Sequence, residues 1–362
     1  MHVKIVTLIL TKRCNLRCNY CYVRYENSKS MSLETAQTII AKEMAQANDD
    51  TTLVFSFLGG EPFCEFETLK EICEWIWSRY WNTTYYINAV TNGTLLTDEI
   101  RLWLIRNHHR FYLTLSYDGI VKAQNQNRYN SASIVDIDFF HEYWPQIPFK
   151  MTITEGNISN LYDNIIYLHQ KGILVNDTFA DNTAVWKKES LELLDQQLSK
   201  LSSYYLLHHD IKPSDLLNID LIPVLDSSKR SLFDCGAGKD KVTYDTDGTE
   251  YLCHLLSPLA LDSEQLQNLR DDINNSKLSS KCHTCILDPI CPFCPGMSYL
   301  SKYTCWIRED KNCSLFKHQV YYACSYQLKT ILRKKRYSEC LDDHDKLTYI
   351  SIKYILNNMN LE

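Results

Sequence analysis

Three cysteines within a stretch of eight residues constrain this chain more than any other feature. Cys14, Cys18 and Cys21 form a C-x3-C-x2-C spacing that follows directly on a β-like apolar run at 3–10. Three thiolates on so short a loop can ligate three irons of a [4Fe–4S] cube. The fourth iron then has no protein ligand, so the spacing predicts a cluster with one position open for a reacting molecule.

Composition narrows the class of protein. A length of 362 residues suggests two domains, and a net charge of −6 disfavours a nucleic-acid partner. No apolar run approaches the ~20 residues that cross a bilayer, and the first run is too short for a signal peptide. We therefore expect no membrane association and a cytoplasmic location. There, an odd count of 15 cysteines favours metal binding over disulfides.

Short apolar runs alternate with amphipathic stretches up to about residue 207. The predicted strands are 3–10, 53–58, 85–90, 111–116, 149–154 and 173–179, and the predicted helices are 32–47, 68–80, 97–107, 134–143, 161–171 and 189–207. Consecutive β-α units predict an α/β fold with a parallel sheet and right-handed crossovers. Six units are two short of a closed barrel, so we expect an open (β/α)6 partial barrel of the TIM type.

Four polar segments each follow one of the first four predicted strands. They are the cysteine loop, Gly59-Gly60-Glu61-Pro62, Thr91-Asn92-Gly93 and Ser116-Tyr117-Asp118-Gly119. The carboxyl ends of barrel strands share one face, which holds the active site in such folds. The sequence therefore places all four segments around one site.

The cysteine loop, with Tyr20 before its last cysteine, and the Gly-Gly-Glu-Pro segment resemble the radical SAM family. That resemblance implies that the open iron chelates S-adenosylmethionine (SAM), whose reductive cleavage gives a 5′-deoxyadenosyl radical that abstracts hydrogen from a substrate. It also implies SAM contacts from Tyr20, Gly59, Gly60, Glu61, Pro62, Asn92 and Ser116. Asn92 and Ser116 have an alternative role as helix caps. Asp118 faces SAM or substrate, or is only part of an Asp-Gly turn.

A second group of cysteines begins at Cys235. Cys235, Cys253, the run Cys282-x2-Cys285-x5-Cys291-x2-Cys294 and Cys313 resemble the seven-cysteine SPASM extension of peptide-modifying radical SAM enzymes. The resemblance implies two auxiliary [4Fe–4S] clusters. The inner one would be held by Cys235, Cys253 and Cys294, with an open iron or Cys305 as fourth ligand, and the outer one by Cys282, Cys285, Cys291 and Cys313. The family has one residue more before the cysteine that matches Cys294. A zinc ribbon on two C-x2-C hooks is the alternative.

The resulting domain prediction is a partial barrel at 1–207, a linker at 208–234, an auxiliary cluster domain at 235–325 and a helical tail at 326–362. An Asp245-x-Asp247-Gly248 turn predicts a hairpin that brings strands carrying Cys235 and Cys253 together.

The family resemblance implies a maturase that forms a thioether or carbon–carbon crosslink in a ribosomally made peptide. The expected partners are a peptide or protein substrate, a reductant such as flavodoxin or ferredoxin, and a separate leader-binding protein, because the first strand leaves no room for a fused one. Anaerobic sulfatase maturases, which make formylglycine, are the second candidate. They carry an aspartate base where this chain has His254, a residue that could act as the base instead. A peptide epimerase, a small-alcohol dehydrogenase and a zinc-stabilised adaptor are further alternatives.

Overall fold

The computed structural model describes residues 2–25, 30–180, 186–226, 233–275, 280–308, 310–336 and 341–361. Within them lie eight strands: β1 His2–Thr11, β2 Thr51–Gly59, β3 Thr84–Thr91, β4 Tyr112–Leu115, β5 Phe149–Ile153, β6 Val175–Phe179, β7 Lys241–Tyr244 and β8 Glu250–Tyr251. Six of them form one sheet in the order β4-β3-β2-β1-β7-β8, and β5 pairs with β6. Only β7 and β8 pair antiparallel in the larger sheet.

Twelve α-helices are described: α1 Leu33–Gln46, α2 Phe66–Trp77, α3 Asp98–Asn107, α4 Val121–Asn127, α5 Ile137–Tyr143, α6 Leu161–His169, α7 Lys188–Leu207, α8 Ser263–Asn275, α9 Ser280–His283, α10 Pro295–Lys302, α11 Asp310–Arg336 and α12 Asp343–Asn358. Side-chain caps fix several starts. Ser32, Thr97 and Asp136 accept hydrogen bonds from backbone N–H groups at the beginning of α1, α3 and α5.

Contacts divide the chain into two compact units. The first comprises residues 1–117, 124–150 and 233–274, and the second comprises 118–123, 151–232 and 275–362. This division differs from the predicted boundaries at 207 and 235. The reason is that β7 pairs in parallel with β1, from Ile5 opposite Lys241 to Leu8 opposite Tyr244. Residues after the linker thus complete the first unit's sheet.

The six predicted strands and the parallel pairing of the first four are confirmed. The full partial barrel stays a prediction. Where the barrel would continue from β4 to β5, the described residues form one isolated parallel bridge, between Ser116 and Lys150. α4 was missed because 121–127 is mostly polar and shows no helical periodicity. The hairpin of β7 and β8 is confirmed, but Cys235 precedes β7 and Cys253 follows β8, so neither cysteine is on a strand.

No helix within the described ranges has both the length and the apolar character needed to span a membrane.

A buried hydrogen-bond network ties α1 to β1 and β7 in the first unit. The Tyr244 hydroxyl lies 2.6 Å from a Glu43 carboxylate oxygen and 2.9 Å from one of Glu250, and it accepts from the Lys42 ammonium at 3.0 Å. Lys4 donates to the other Glu43 oxygen at 2.6 Å. Glu43 is only 2% exposed, so its charge depends on these partners.

Tyr244→Phe should lower the free energy of unfolding by about 1–3 kcal/mol, because it leaves a buried carboxylate short of a donor. A shift of the urea midpoint measures this. Tyr86→Phe removes the hydroxyl of an exposed tyrosine on β3 and serves as the control. Equal midpoints for the two variants would contradict the role given to the network.

Candidate metal centre

The loop that follows β1 brings the three predicted cluster ligands together. Cys14, Cys18 and Cys21 are all partly exposed. Burial raises the pKa of Cys14 to about 12, and the charges of Glu61, Cys18 and Cys21 add to the rise. The three thiols are therefore close enough to interact electrostatically. Across the described residues, no three His, Cys, Asp or Glu side chains approach closely enough to hold a single metal ion. The donor set fits a cationic cluster, which would stabilise the thiolates.

Residues 126–128 hold the tip of this loop. The Asn19 backbone N–H donates to the Asn127 carbonyl at 3.1 Å, and its side-chain amide donates to the Gln126 carbonyl at 2.7 Å. The Arg128 guanidinium carbon lies 5.3 Å from the centre of the Tyr20 ring. Tyr20, expected to contact SAM, thus lies beside a buried cation.

The segment after β8 covers the other side of the loop. The Arg24 backbone N–H donates to the Leu259 carbonyl at 2.8 Å, and Val23 packs with Leu259 in a small apolar cluster. The Tyr22 ring lies 5.7 Å from the His254 ring, centre to centre. His254 is therefore beside the cluster loop, as its proposed role as a base requires.

His254 lies in a cationic environment. Burial, with a smaller contribution from the charges of Lys150 and Lys241, lowers its pKa to about 4. Partial burial and the charge of Arg128 also lower the pKa of Lys150. Both lysines thus disfavour a positive charge on His254.

Gly59 and Gly60 contact the cysteine loop rather than open space. A β-carbon on Gly59 would lie 2.1 Å from the Thr11 carbonyl oxygen, and one on Gly60 would lie 2.3 Å from that of Arg13. The Gly60 N–H donates to Thr11 at 2.9 Å. The SAM contacts that the family resemblance implies for these glycines stay predictions. In the structure, the glycines let the backbone of β2 pack against the base of the cysteine loop.

Glu61 connects three loops. Its backbone N–H donates to the Arg13 carbonyl at 2.9 Å. One carboxylate oxygen accepts from the Thr91 hydroxyl at 2.8 Å and the Phe63 N–H at 3.2 Å, and the other from the Asn92 N–H at 2.7 Å. The side chain is 1% exposed, and burial raises its pKa to about 7. Both oxygens already have protein donors, so a SAM contact from this segment stays a prediction. Pro62 follows in a buried turn.

Asn92 reaches the cysteine loop through its side chain. Its amide nitrogen donates to the Asn15 side-chain oxygen at 3.0 Å and lies 3.9 Å from the Cys14 sulfur. Its amide oxygen accepts from the Thr94 N–H at 3.0 Å, so it also closes a turn. Ser116 lies at the end of β4, where its N–H donates to the Thr91 carbonyl at 2.9 Å. Of the two residues predicted to contact SAM, Asn92 is therefore hydrogen-bonded to the cysteine loop and Ser116 to the end of β3.

Asp118, the other candidate catalytic residue, belongs to the second unit. Its side chain is fully buried and accepts from the Thr152 N–H at 2.9 Å. The neighbouring Gly119 has φ +105°, and a β-carbon there would lie 2.4 Å from that of Asn164. These contacts place Asp118 in a turn beside α6. Its catalytic role stays a prediction.

The later cysteines fall in both units. Cys235 and Cys253 are in the first unit, and the other five predicted auxiliary ligands are in the second. Burial raises the pKa of Cys282 to about 11, and the charges of Cys313, Cys291, Asp288 and Cys285 add to the rise. The same four cysteines line a cavity of ≈ 550 Å³. The structure thus brings together the four thiols expected to hold the outer cluster.

Cys294 precedes α10, where it lines a different, smaller cavity beside Phe293. Arg308, which sequence reasoning missed, donates to the Cys291 sulfur. A single arginine in a loop carries no spacing signal that could have revealed it. Cys305 is fully buried, and its role as a fourth ligand stays a prediction.

Comparison with known proteins shows which enzymes the chain resembles. Residues 4–130 match the model of the 4Fe-4S single cluster domain. The chain is 24% identical over 196 residues to the radical SAM cyclopropyl synthase TigE of Paramaledivibacter caminithermalis, covering 49% of this chain and 36% of that protein. It is 25% identical over 190 residues to the serine-type anaerobic sulfatase-maturating enzyme of Klebsiella aerogenes, covering 48% and 46%.

The chain is therefore similar to radical SAM enzymes. Its fold is also that of solved structures in this group. The structure of anSMEcpe with bound AdoMet and the Cp18Cys peptide has a TM-score of 0.69 at 18% identity, covering 91% of this chain and 99% of that one. Streptococcus suis SuiB bound to its precursor peptide SuiA has a TM-score of 0.58 at 17% identity, covering 86% and 76%.

The chain spans less than half the length of the two curated relatives named above. Their activities therefore bear on this chain only as proposals.

Glu61→Gln should lower the free energy of unfolding by about 1–3 kcal/mol, because the NH₂ group of the new amide would face an N–H or hydroxyl donor. In the wild type, a carboxylate oxygen accepts the hydrogen bond from that donor. Urea unfolding measures the loss, and iron bound after reconstitution should fall with it. Glu67→Gln, on the exposed side of α2, is the matched control. If both variants unfold at the same urea concentration, Glu61 does not hold the loops together.

Proposed function

We propose that this radical SAM enzyme modifies a peptide or protein by forming a thioether or carbon–carbon crosslink. The observation that carries the proposal is the three-thiol loop held by the β2 and β3 ends in a fold shared with SuiB and anSMEcpe. Both of those proteins were solved with a peptide bound. A peptide substrate for this chain is supported by that likeness.

In the proposed reaction, Cys14, Cys18 and Cys21 hold a [4Fe–4S] cluster that binds SAM, and the two together supply a 5′-deoxyadenosyl radical that abstracts hydrogen from the substrate. The chain's own residues orient this site. Glu61 and Asn92 fix the cysteine loop, and Arg128 positions Tyr20. A one-electron reductant such as flavodoxin or ferredoxin would supply the electron.

We further propose that Cys282, Cys285, Cys291 and Cys313 hold an outer auxiliary cluster, and that Cys235, Cys253 and Cys294 contribute to an inner one. The shared cavity of the first four thiols supports the outer site. Arg308, which donates to Cys291, would balance thiolate charge there.

Formylglycine formation is the second candidate, favoured by the likeness to anaerobic sulfatase-maturating enzymes. The position of His254 beside the cysteine loop provides a group that could take the place of the aspartate expected there. Oxidation of serine to formylglycine and formation of a crosslink both remove two hydrogens from the peptide. Reaction of the product with an aldehyde-specific probe therefore separates the two reactions.

Cys18→Ala should abolish 5′-deoxyadenosine formation from SAM and dithionite, because the cluster loses one of three ligands. Broad visible absorption from the auxiliary clusters should remain. Cys73→Ala, at a buried thiol on α2 outside every predicted ligand set, should keep activity. Continued 5′-deoxyadenosine formation by the Cys18 variant would refute the assignment of the cluster.

Cys282→Ala should lower iron content by up to the four irons of one cluster, since it removes one of the four thiolates proposed to hold the outer site. Iron and sulfide analysis measures this. Cys324→Ala removes a buried thiol from an apolar cluster in the same unit and serves as the control. Unchanged iron, or zinc in its place, would count against the outer iron–sulfur site.

A further inference from the structure

The second unit contains a cavity outside the predicted cluster sites. Its volume is ≈ 340 Å³, and it lies among β6, the segment at 215–216, residues 292 and 308, and the first turns of α11. Its polar lining includes Asn176, Asp177, Asp215, Arg308 and Asn312. We call it the acidic cavity, after its two aspartates.

Asp177 is buried with one oxygen unused. The residue is 5% exposed, and its Oδ2 accepts from the Ser214 hydroxyl at 2.5 Å. Its Oδ1 is inaccessible to solvent and has no hydrogen-bond partner within the described part of the chain. Burial, together with the charge of Asp215, raises the pKa of Asp177 to about 7. A buried carboxylate with an unused oxygen is costly unless a donor binds it.

Asp215 is oriented by its neighbours. Its carboxylate accepts from the Asn176 side-chain amide at 3.1 Å. The following residue, Leu216, donates its N–H to the Ser214 hydroxyl at 3.2 Å, and its carbonyl accepts from Gln319 at 3.3 Å. The segment that carries the second carboxylate is thus fixed to α11, and the two aspartates are held before any ligand arrives.

Arg308 does not supply the missing donor. Its two terminal nitrogens donate to the Cys291 sulfur and, at 3.4 Å, to the Asn312 carbonyl. Its guanidinium carbon lies 5.4 Å from the centre of the Phe316 ring. This cation therefore faces the predicted outer ligand set, and the cavity keeps two carboxylates with one unused acceptor.

We propose that the acidic cavity binds the ammonium or guanidinium group of a lysine or arginine side chain. A cation with several N–H donors satisfies Asp177 and Asp215 together, and the aromatic rings of Phe179 and Phe316 in the lining suit the apolar stem of such a side chain. The group belongs to the substrate peptide, an identification that rests on the proposed function. The same chemistry fits a free small cation.

Fluorescence anisotropy on the reconstituted enzyme tests this with three probes. They are a labelled Ala-Ala-Arg-Ala-Ala peptide, the same peptide with citrulline in place of arginine, and unlabelled arginine amide as competitor. Citrulline keeps the shape of arginine but lacks its charge. Wild-type enzyme should prefer the arginine peptide by at least about tenfold, as expected for a hydrogen bond to a charged group.

Asp177→Asn should remove that preference, and Asp215→Asn should reduce it. Asp210→Asn removes an equal charge at an exposed position outside the cavity and should keep the preference. Binding of arginine amide in a calorimetric titration, without binding of the peptide, would assign the cavity to a free small cation and overturn its assignment to the substrate peptide. Equal affinity for the arginine and citrulline peptides, or an unchanged preference in both cavity variants, would overturn the proposal. Because no step needs SAM cleavage, these outcomes are independent of the test on Cys18.

Discussion

The carboxylate of Glu61 joins the carboxyl ends of β1, β2 and β3. Its own backbone binds Arg13 at the base of the cysteine loop, and its side chain accepts from Thr91 and Asn92 at the end of β3. A buried carboxylate is stable only with such partners, so the three loops have one mutual arrangement. The thiols at 14, 18 and 21 take their places from it, and so does any cofactor they bind.

The glycines before Glu61 have a role in packing that the sequence alone did not show. Sequence reasoning placed them at the end of a strand beside the cysteine loop, and that position is confirmed. Their predicted contact with SAM stays a prediction. The structure packs them on the carbonyls of Thr11 and Arg13. Only three-dimensional contacts between β1 and β2 could reveal which backbone they approach.

Periodicity and turn residues located the first six strands, because each alternates with an amphipathic helix. They could not reveal that β7, more than 200 residues later, pairs with β1, since pairing between distant strands leaves no local pattern. The local pattern also missed α4, because its residues are mostly polar. The end of α4 nevertheless supplies the backbone carbonyls that accept hydrogen bonds from Asn19. Ligand spacing found the cysteines but not Arg308, whose contact with Cys291 depends on folding.

The central claim is that three N-terminal thiolates hold a cluster with one iron open to SAM. Electron paramagnetic resonance of the reduced, anaerobically reconstituted protein, recorded before and after SAM is added, tests it most directly. The signal that disappears when Cys18 is replaced should change its g-values when SAM binds the open iron. A signal that is unaltered by SAM, or no cubic cluster in the reconstituted protein, would contradict the claim.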